Sequence, residues 1–522
     1  MKAIRALIVA CACALAASGS AAAKTSNDFA GHHKQIFPVY VVKGLSLGDL
    51  PQLATEGAVG LMVPNAGPRT SQADAFAGMV RGILYNTRLP RPHDTVLIHV
   101  KAANSIPQHG PAIVVGLPPG PTSPNDRRYP IAVIGHGYHG LLVSSLTRVP
   151  GLVSIADVAR TALQTPHSLD TQRDGGPVAT SYRLETQIDV ARSTTMPGSV
   201  LVLSLLVLIA LFYPRGAPTA LGAAIAVNLV EGWFPTGDAA GRVTLLGLCT
   251  VAGAMFGPIF FRRRLHLGVA LVALLAAYTV SMIIRPSTLS LAPIGPELTS
   301  RFFGVSNLLE TWLLYPGLLG AALLTRRFGP FAFVGVAGLT LATIAENALG
   351  ADGGGAIVVG VAFALLGVQL VGARLRYTIP ALVLAALVVL AMVNIDASLS
   401  GPDHLRGALS GGFEGIANVA ANRVPLAYAR AVHQWWLLVP GIPFVVIAVA
   451  AARTARERAD RAVAVALLGG VAASLLVNDS AGPVMLGALA VLLAVEGGLV
   501  HRTLTVPVLR RFALPIPVPQ ER

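Results

Sequence analysis

The sequence predicts a mainly α-helical polytopic membrane protein, with about 11 transmembrane helices, preceded by a small exported α/β domain. Three observations predict it. First, the 522 residues are 54% hydrophobic and only 12% charged, about half the charged share of an average soluble domain. Second, long apolar runs crowd the chain after Gly198 and are missing between residues 24 and 197. Third, the chain opens with a secretory signal, which places the next segment outside the cytoplasm.

The opening stretch, residues 1–23, carries Lys2 and Arg5, an apolar run of secretory length, and small residues before Lys24. This order of charge, apolar core and small residues is that of a signal peptide cut after Ala23. Cys11 and Cys13 fall inside its apolar run, and beyond it only Cys249 remains. A disulfide framework and a thiolate metal site are therefore excluded.

Residues 24–165 form the exported α/β domain. The stretch from Val39 to Leu50, VYVVKGLSLGDL, reads as a buried strand that breaks at Gly44 into a polar turn and then a helix. Residues 24–197 hold eight of the 12 histidines. His32 with His33, and His136 with His139, invite a metal reading, but the glycines around the second pair argue for a loop and no third ligand is evident. No metal or other cofactor is expected. Residues 166–197 are polar and read as a linker followed by a short helix.

Residues 198–500 read as the transmembrane domain, the first apolar span at 198–213 and the last at 483–500, with 501–522 a cytoplasmic tail. An exported N-terminal domain makes the first span run inward. Alternation then places Arg262 to Arg264, Arg326, Arg327, Arg453, Arg510 and Arg511 in the cytoplasm. The opposite loops carry basic residues only singly, such as Arg242, Arg285 and Arg301. Signal and charge bias are independent and agree on an orientation with the N-terminal domain outside and the C-terminus in the cytoplasm. The net charge of +14 thus belongs to membrane loops, and nucleic acid is not expected as a partner.

The acids supply the candidate site. A span rising outward from Leu324 surfaces near Val305, which puts Glu310 roughly 8 Å inside the apolar layer at 1.5 Å per residue. Glu346 comes out shallower and Asp479 close to the surface, on the same side. Each has polar company: Arg301 and Asn307 near Glu310, Asn347 and the glycine-flanked Asp352 beyond Glu346, and Asn478 beside Asp479. Ionisable groups inside a membrane cost at least about 2.5 kcal/mol, so a submerged one faces a cavity or a partner. Glu310, Glu346 and Asp479 are the candidate catalytic residues. Asn307, Asn347, Asn478, Arg301 and Asp352 are the candidate substrate-binding residues. Glu496, near the inner end of the last span, reads as neutral or paired with Arg502.

The exported domain resembles the alkaline-phosphatase and phosphoglycerate-mutase superfamily in two stretches. Residues 39–62 look like its opening strand, turn and helix. Residues 149–163 look like the late segment leading into a helix, where Asp157 and Thr161 match and Arg160 replaces the usual proline. The resemblance implies two metal ions held by Asp and His and a Ser or Thr nucleophile, for which Thr70 or Ser71 is the candidate. Lys43 stands at the first aspartate's position, where an ammonium repels a metal ion, so the resemblance implies a degenerate, catalytically silent domain. The whole chain resembles a poorly characterised group of bacterial polytopic membrane proteins with such a domain, through SRFFGVSNLLE (300–310), GADGGG (350–355) and NDSAG (478–482).

Three functional classes remain. One handles a lipid-linked or cell-wall substrate at the outer face of the cytoplasmic membrane, with Glu310 as base and Glu346 or Asp479 as its partner. Another is a secondary transporter or flippase whose acids bind a cation or proton and whose exported domain is a receptor or lid. The third is a non-catalytic envelope scaffold. The acids crowd one side and no internal repeat is evident, which favours the first class. Membrane lipid is the expected partner.

Overall fold

The computed structural model describes residues 35–67, 69–84, 98–107, 110–135, 137–165, 168–296, 298, 302–346, 349–350, 353–373, 377–399, 432, 435, 439–455, 457–478 and 481–505. They divide into two compact units, one within Met1–Ser193 and Met282–Gly304, the other within Thr194–Ser281 and Val305–Arg522.

The first unit is built on a mixed sheet. Its strands are β1 (Val39–Val42), β2 (Gly57–Val63), β4 (Val100–Ala103), β5 (Ala112–Val115), β7 (Tyr129–Ile134), β8 (Gly140–Val143), β9 (Leu152–Ser154) and β10 (Asp170–Gln172). The order is β10-β8-β2-β7-β5-β1-β4, with β9 also paired to β2. β1 runs parallel to β4 and β5, while β7 runs antiparallel to β2 and β5. A separate short ladder joins β3 (Arg69–Thr70) to β6 (Ser123–Pro124). β2 is buried along its whole length, the mark of a strand covered on both faces.

Alternate side chains divide between two cores, as the two-residue period of a strand requires. On one face, Val39, Met62, Ile113 and Val133 pack with Met79 of α2 (Gln72–Arg81) and Val158 of α3 (Ala156–Ala162). On the other, Val42, Leu61 and Val114 pack with Leu50 and Leu53 of α1 (Leu50–Glu56) and with Leu184 and Ile188. The residues 39–56 thus form strand, turn and helix, with Pro51 in the first turn where a missing N–H costs nothing.

Two features of this unit depart from the sequence reading. Residues 177–197, expected as linker and short helix, open a continuous helix α4 (Pro177–Phe212) that runs on through the first apolar span. Arg128 anchors its first turns: Nε meets Glu185 at 2.6 Å and an Nη meets Asp189 at 2.5 Å. The segment before residue 305, whose end was expected to begin a membrane span at 303, supplies Leu291, Leu298 and Phe302 to the second core, and Arg148 stacks 4.1 Å from the centre of the Phe303 ring.

The second unit is helical. Its elements are α5 (Ala217–Trp233), α6 (Ala239–Phe260), α7 (Arg264–Ile284), α8 (Asn307–Phe328), α9 (Pro330–Ala345), α10 (Gly353–Val371), α11 (Thr378–Leu399), α12 (Gly441–Thr454), α13 (Arg458–Val477) and α14 (Ala481–Val500), besides the later turns of α4. Among the described residues seven helices are long and apolar enough to cross a membrane: α4, α6, α7, α8, α10, α13 and α14, the last continuing to Thr503. α9 and α12 are apolar but shorter, at 16 and 14 residues. α8 and α14 are the most buried of the long helices and pack on each other and on α13, so they form the centre of this unit.

Candidate functional site

A polar site in the second unit gathers where α8 begins and α13 ends. Ser306 caps α8, its hydroxyl accepting from Leu309 N at 3.2 Å. Helix formation from Asn307 puts Glu310 in the first turn, where the exposed N–H groups favour a carboxylate. Glu310 is completely buried. From α13, the Asn478 amide donates to Glu310 Oε2 at 3.2 Å and to Ser474 Oγ at 2.8 Å. Two expected site residues, 168 positions apart, are therefore in direct contact.

Small residues allow this approach. A Cβ on Gly487 of α14 would lie 3.0 Å from Thr311 Cβ and 3.1 Å from a Leu308 methyl. Gly350 gives its carbonyl to Val305 N at 2.9 Å, and a Cβ there would fall 2.1 Å from the Ile344 carbonyl oxygen. That bond ties the entry of α8 to the turn after α9. Glu346 caps the C-terminal end of α9 and is half-buried, its carbonyl accepting from Leu349 N at 2.9 Å. Asn307 is half-buried, and its carbonyl accepts from Thr311 Oγ1 at 2.8 Å. Arg301, Asn347, Asp352 and Asp479 lie outside the described residues. A buried carboxylate held by an amide, beside half-buried polar groups, can take a proton from a substrate hydroxyl while the amide fixes its orientation.

In the first unit, Asp157 and Thr161 have structural duties. Asp157 is fully buried in the first turn of α3 and accepts from Ser154 N at 2.7 Å. Burial pushes its carboxyl up to about 6, against hydrogen bonds from Ser144 and Ser154 and the charge of Arg160. Thr161 Oγ1 donates to Asp157 O and accepts from Leu169 N. Ser71 caps α2: its hydroxyl lies 2.6 Å from Asp74 Oδ2 and accepts from Asp74 N at 3.2 Å. Thr70 Oγ1 is buried without a hydrogen-bond partner among the described residues. Lys43 is exposed just past β1. His139 is exposed, and His32, His33 and His136 lie outside the described residues. Among the described residues no group of three His, Cys, Asp or Glu side chains could hold a metal ion. Lys43, an ammonium, and Ser71, whose hydroxyl already serves as a helix cap, are not the donors that a two-metal centre needs.

Sequence reasoning missed two further polar clusters in the second unit. Glu231 and Arg242, both buried, stand 3.5 Å apart, and Thr236 bridges them: its hydroxyl donates to Glu231 Oε1 at 2.6 Å and its carbonyl accepts from Arg242 Nε at 2.9 Å. At the opposite end of α13 from Asn478, Arg264 clamps Asp460 through both carboxylate oxygens at 3.0 and 2.8 Å and meets Glu457 at 3.3 Å. The signal was present, since the arginine-rich loops also contain acids, but alternating charge reads as a solvated loop until the helices are packed.

No protein-family model, curated protein or solved structure matches this chain.

Proposed function

We propose that the protein crosses the bacterial cytoplasmic membrane about 11 times and handles a lipid-linked or cell-wall substrate at its outer face. In this reading Glu310 is the general base and Asn478 orients it, with Glu346 as the partner acid. The observation that carries the proposal is the Asn478–Glu310 hydrogen bond at 3.2 Å, made between two helices around a completely buried carboxylate. Such a group is costly in a membrane unless it serves a polar substrate or partner. The seven long apolar helices support the membrane setting. The exported domain is a degenerate, silent member of the phosphatase-like class that binds or positions the substrate. Exposed Lys43 and the capping hydroxyl of Ser71 support that reading.

A secondary transporter or flippase is the second reading, favoured by the break inside α14 at Glu496. Lipids extracted from purified wild-type protein and from Asn478→Leu test the first reading. A lipid-linked precursor enriched with wild type and lost from the variant supports it. Bulk phospholipid alone in both preparations removes it.

A further inference from the structure

We infer that Glu496 is a proton-binding site, set in the half of the helical unit opposite Asn478. The two lie at different ends of the same helix pair. Asn478 closes α13 just before α14 begins, while Glu496 stands 15 residues into α14, about 22 Å along it at 1.5 Å per residue. The site is therefore separate from the Glu310 cluster, and the inference does not depend on the function proposed for that cluster.

Three observations converge on Glu496. Its side chain is 5% exposed, and Oε1 is buried without a hydrogen-bond partner among the described residues. Its backbone is non-helical, with φ −111° and ψ 17°, and a π-helical turn comes after it at His501–Thr505. Non-helical backbone at membrane depth persists where protein or a cavity surrounds it, and irregular turns of this kind concentrate at functional positions. Close packing holds the break in place: a Cβ on Gly497 would meet Ala217 Cβ at 3.3 Å and Ala210 Cβ at 3.4 Å.

The charged surroundings select a proton over a metal ion. The charges that act on Glu496 are Asp460 from α13, Arg264 from α7 and Arg502 further along its own chain. Arg264 is already bidentate on Asp460 and also meets Glu457, so its guanidinium is committed elsewhere. From α8, Tyr315 donates its hydroxyl to Pro218 O, and His501 Nδ1 lies 2.6 Å from Leu211 O. Arg453 on α12 and Arg215 on the turn before α5 are exposed. A metal ion here would meet two arginines and too few acids, since no group of three candidate ligands exists among the described residues. A proton needs one carboxylate oxygen, and it neutralises a charge that burial makes expensive.

Infrared difference spectra of the full-length protein in lipid vesicles, taken between acid and alkaline buffer, read this proton directly. Wild type is expected to show a protonated-carboxyl C=O band that disappears on alkalinisation and is missing in Glu496→Gln. The same band in both proteins, or no such band in wild type, overturns the inference. If Glu496→Gln fails to fold, mapping of dicyclohexylcarbodiimide adducts on wild type replaces it, since this reagent attacks protonated buried carboxyls. An adduct on Glu496 that falls about tenfold for each pH unit above its titration midpoint supports the site. An absent or pH-independent adduct overturns it.

Discussion

Asp157 makes the first unit's stability depend on pH in a direction opposite to that of an ordinary salt-bridged acid. Its carboxyl is fully buried, with Oδ2 accepting from Ser154 N and Oδ1 without a partner among the described residues. Burial raises its ionisation from 3.8 to about 6. Below about pH 4 the group is protonated in both folded and unfolded chains and costs nothing. As pH rises through that window the unfolded chain ionises first, so stability falls until the folded group also ionises near pH 6. At about 1.4 kcal/mol per pH unit the loss is about 3 kcal/mol, complete above that point. Amide exchange in β9 and α3 of the full-length protein, corrected for the intrinsic pH dependence of exchange, reads the change. Asp157→Asn keeps the acceptor for Ser154 N and should abolish the difference between about pH 4 and pH 7 that wild type shows. Equal pH dependence in the two proteins, or a wild-type stability that rises across the window relative to the variant, would refute this reasoning.

Other substitutions act through contacts of the same kind. Arg128→Ala leaves half-buried Glu185 without its guanidinium partner and should destabilise this part of α4 by about 1–3 kcal/mol, seen as faster exchange over residues 177–190. Asn478→Ala removes the amide donor to a completely buried Glu310 oxygen and should lower the thermal stability of the detergent-solubilised protein by an amount equivalent to about 2 kcal/mol; Glu310→Gln should make the further loss on adding Asn478→Ala smaller. Gly487→Leu forces a branched side chain against Thr311 and Leu308, costing about 1–3 kcal/mol, whereas Gly487→Ala should be milder, as comparative unfolding in detergent would show.

Much of this architecture is readable because a bilayer imposes a coarse rule on sequence. Apolar runs near 20 residues become helices whatever their internal order, so the expected spans at 198–213 and 483–500 coincide with the last turns of α4 and most of α14. The strand, turn and helix at 39–56 are readable for a local reason: a β-branched run, a glycine with φ +76° at Gly44, and a capping serine at Ser46. Glu310 and Asn478 stood out because polar residues in apolar surroundings must find partners.

What stayed hidden depends on contacts distant in sequence. Phe303 reads as the start of a membrane span, but it packs with Phe302 into the first unit and α8 starts later. Glu185 and Asp189 read as linker charges because the guanidinium that orders them lies about 60 residues earlier, at Arg128. Glu496 reads as neutral or paired with Arg502, but a single acid in a run of Leu, Val, Ala and Gly carries no information about the backbone break at its position.

The proposed function stands on Glu310, and its most direct measurement is the lipid and polysaccharide profile of the cell envelope when Glu310→Gln replaces the native protein at matched expression. One lipid-linked or cell-wall precursor is expected to accumulate. An unchanged profile, with the variant folded and inserted at wild-type level, would contradict the role given to this carboxylate.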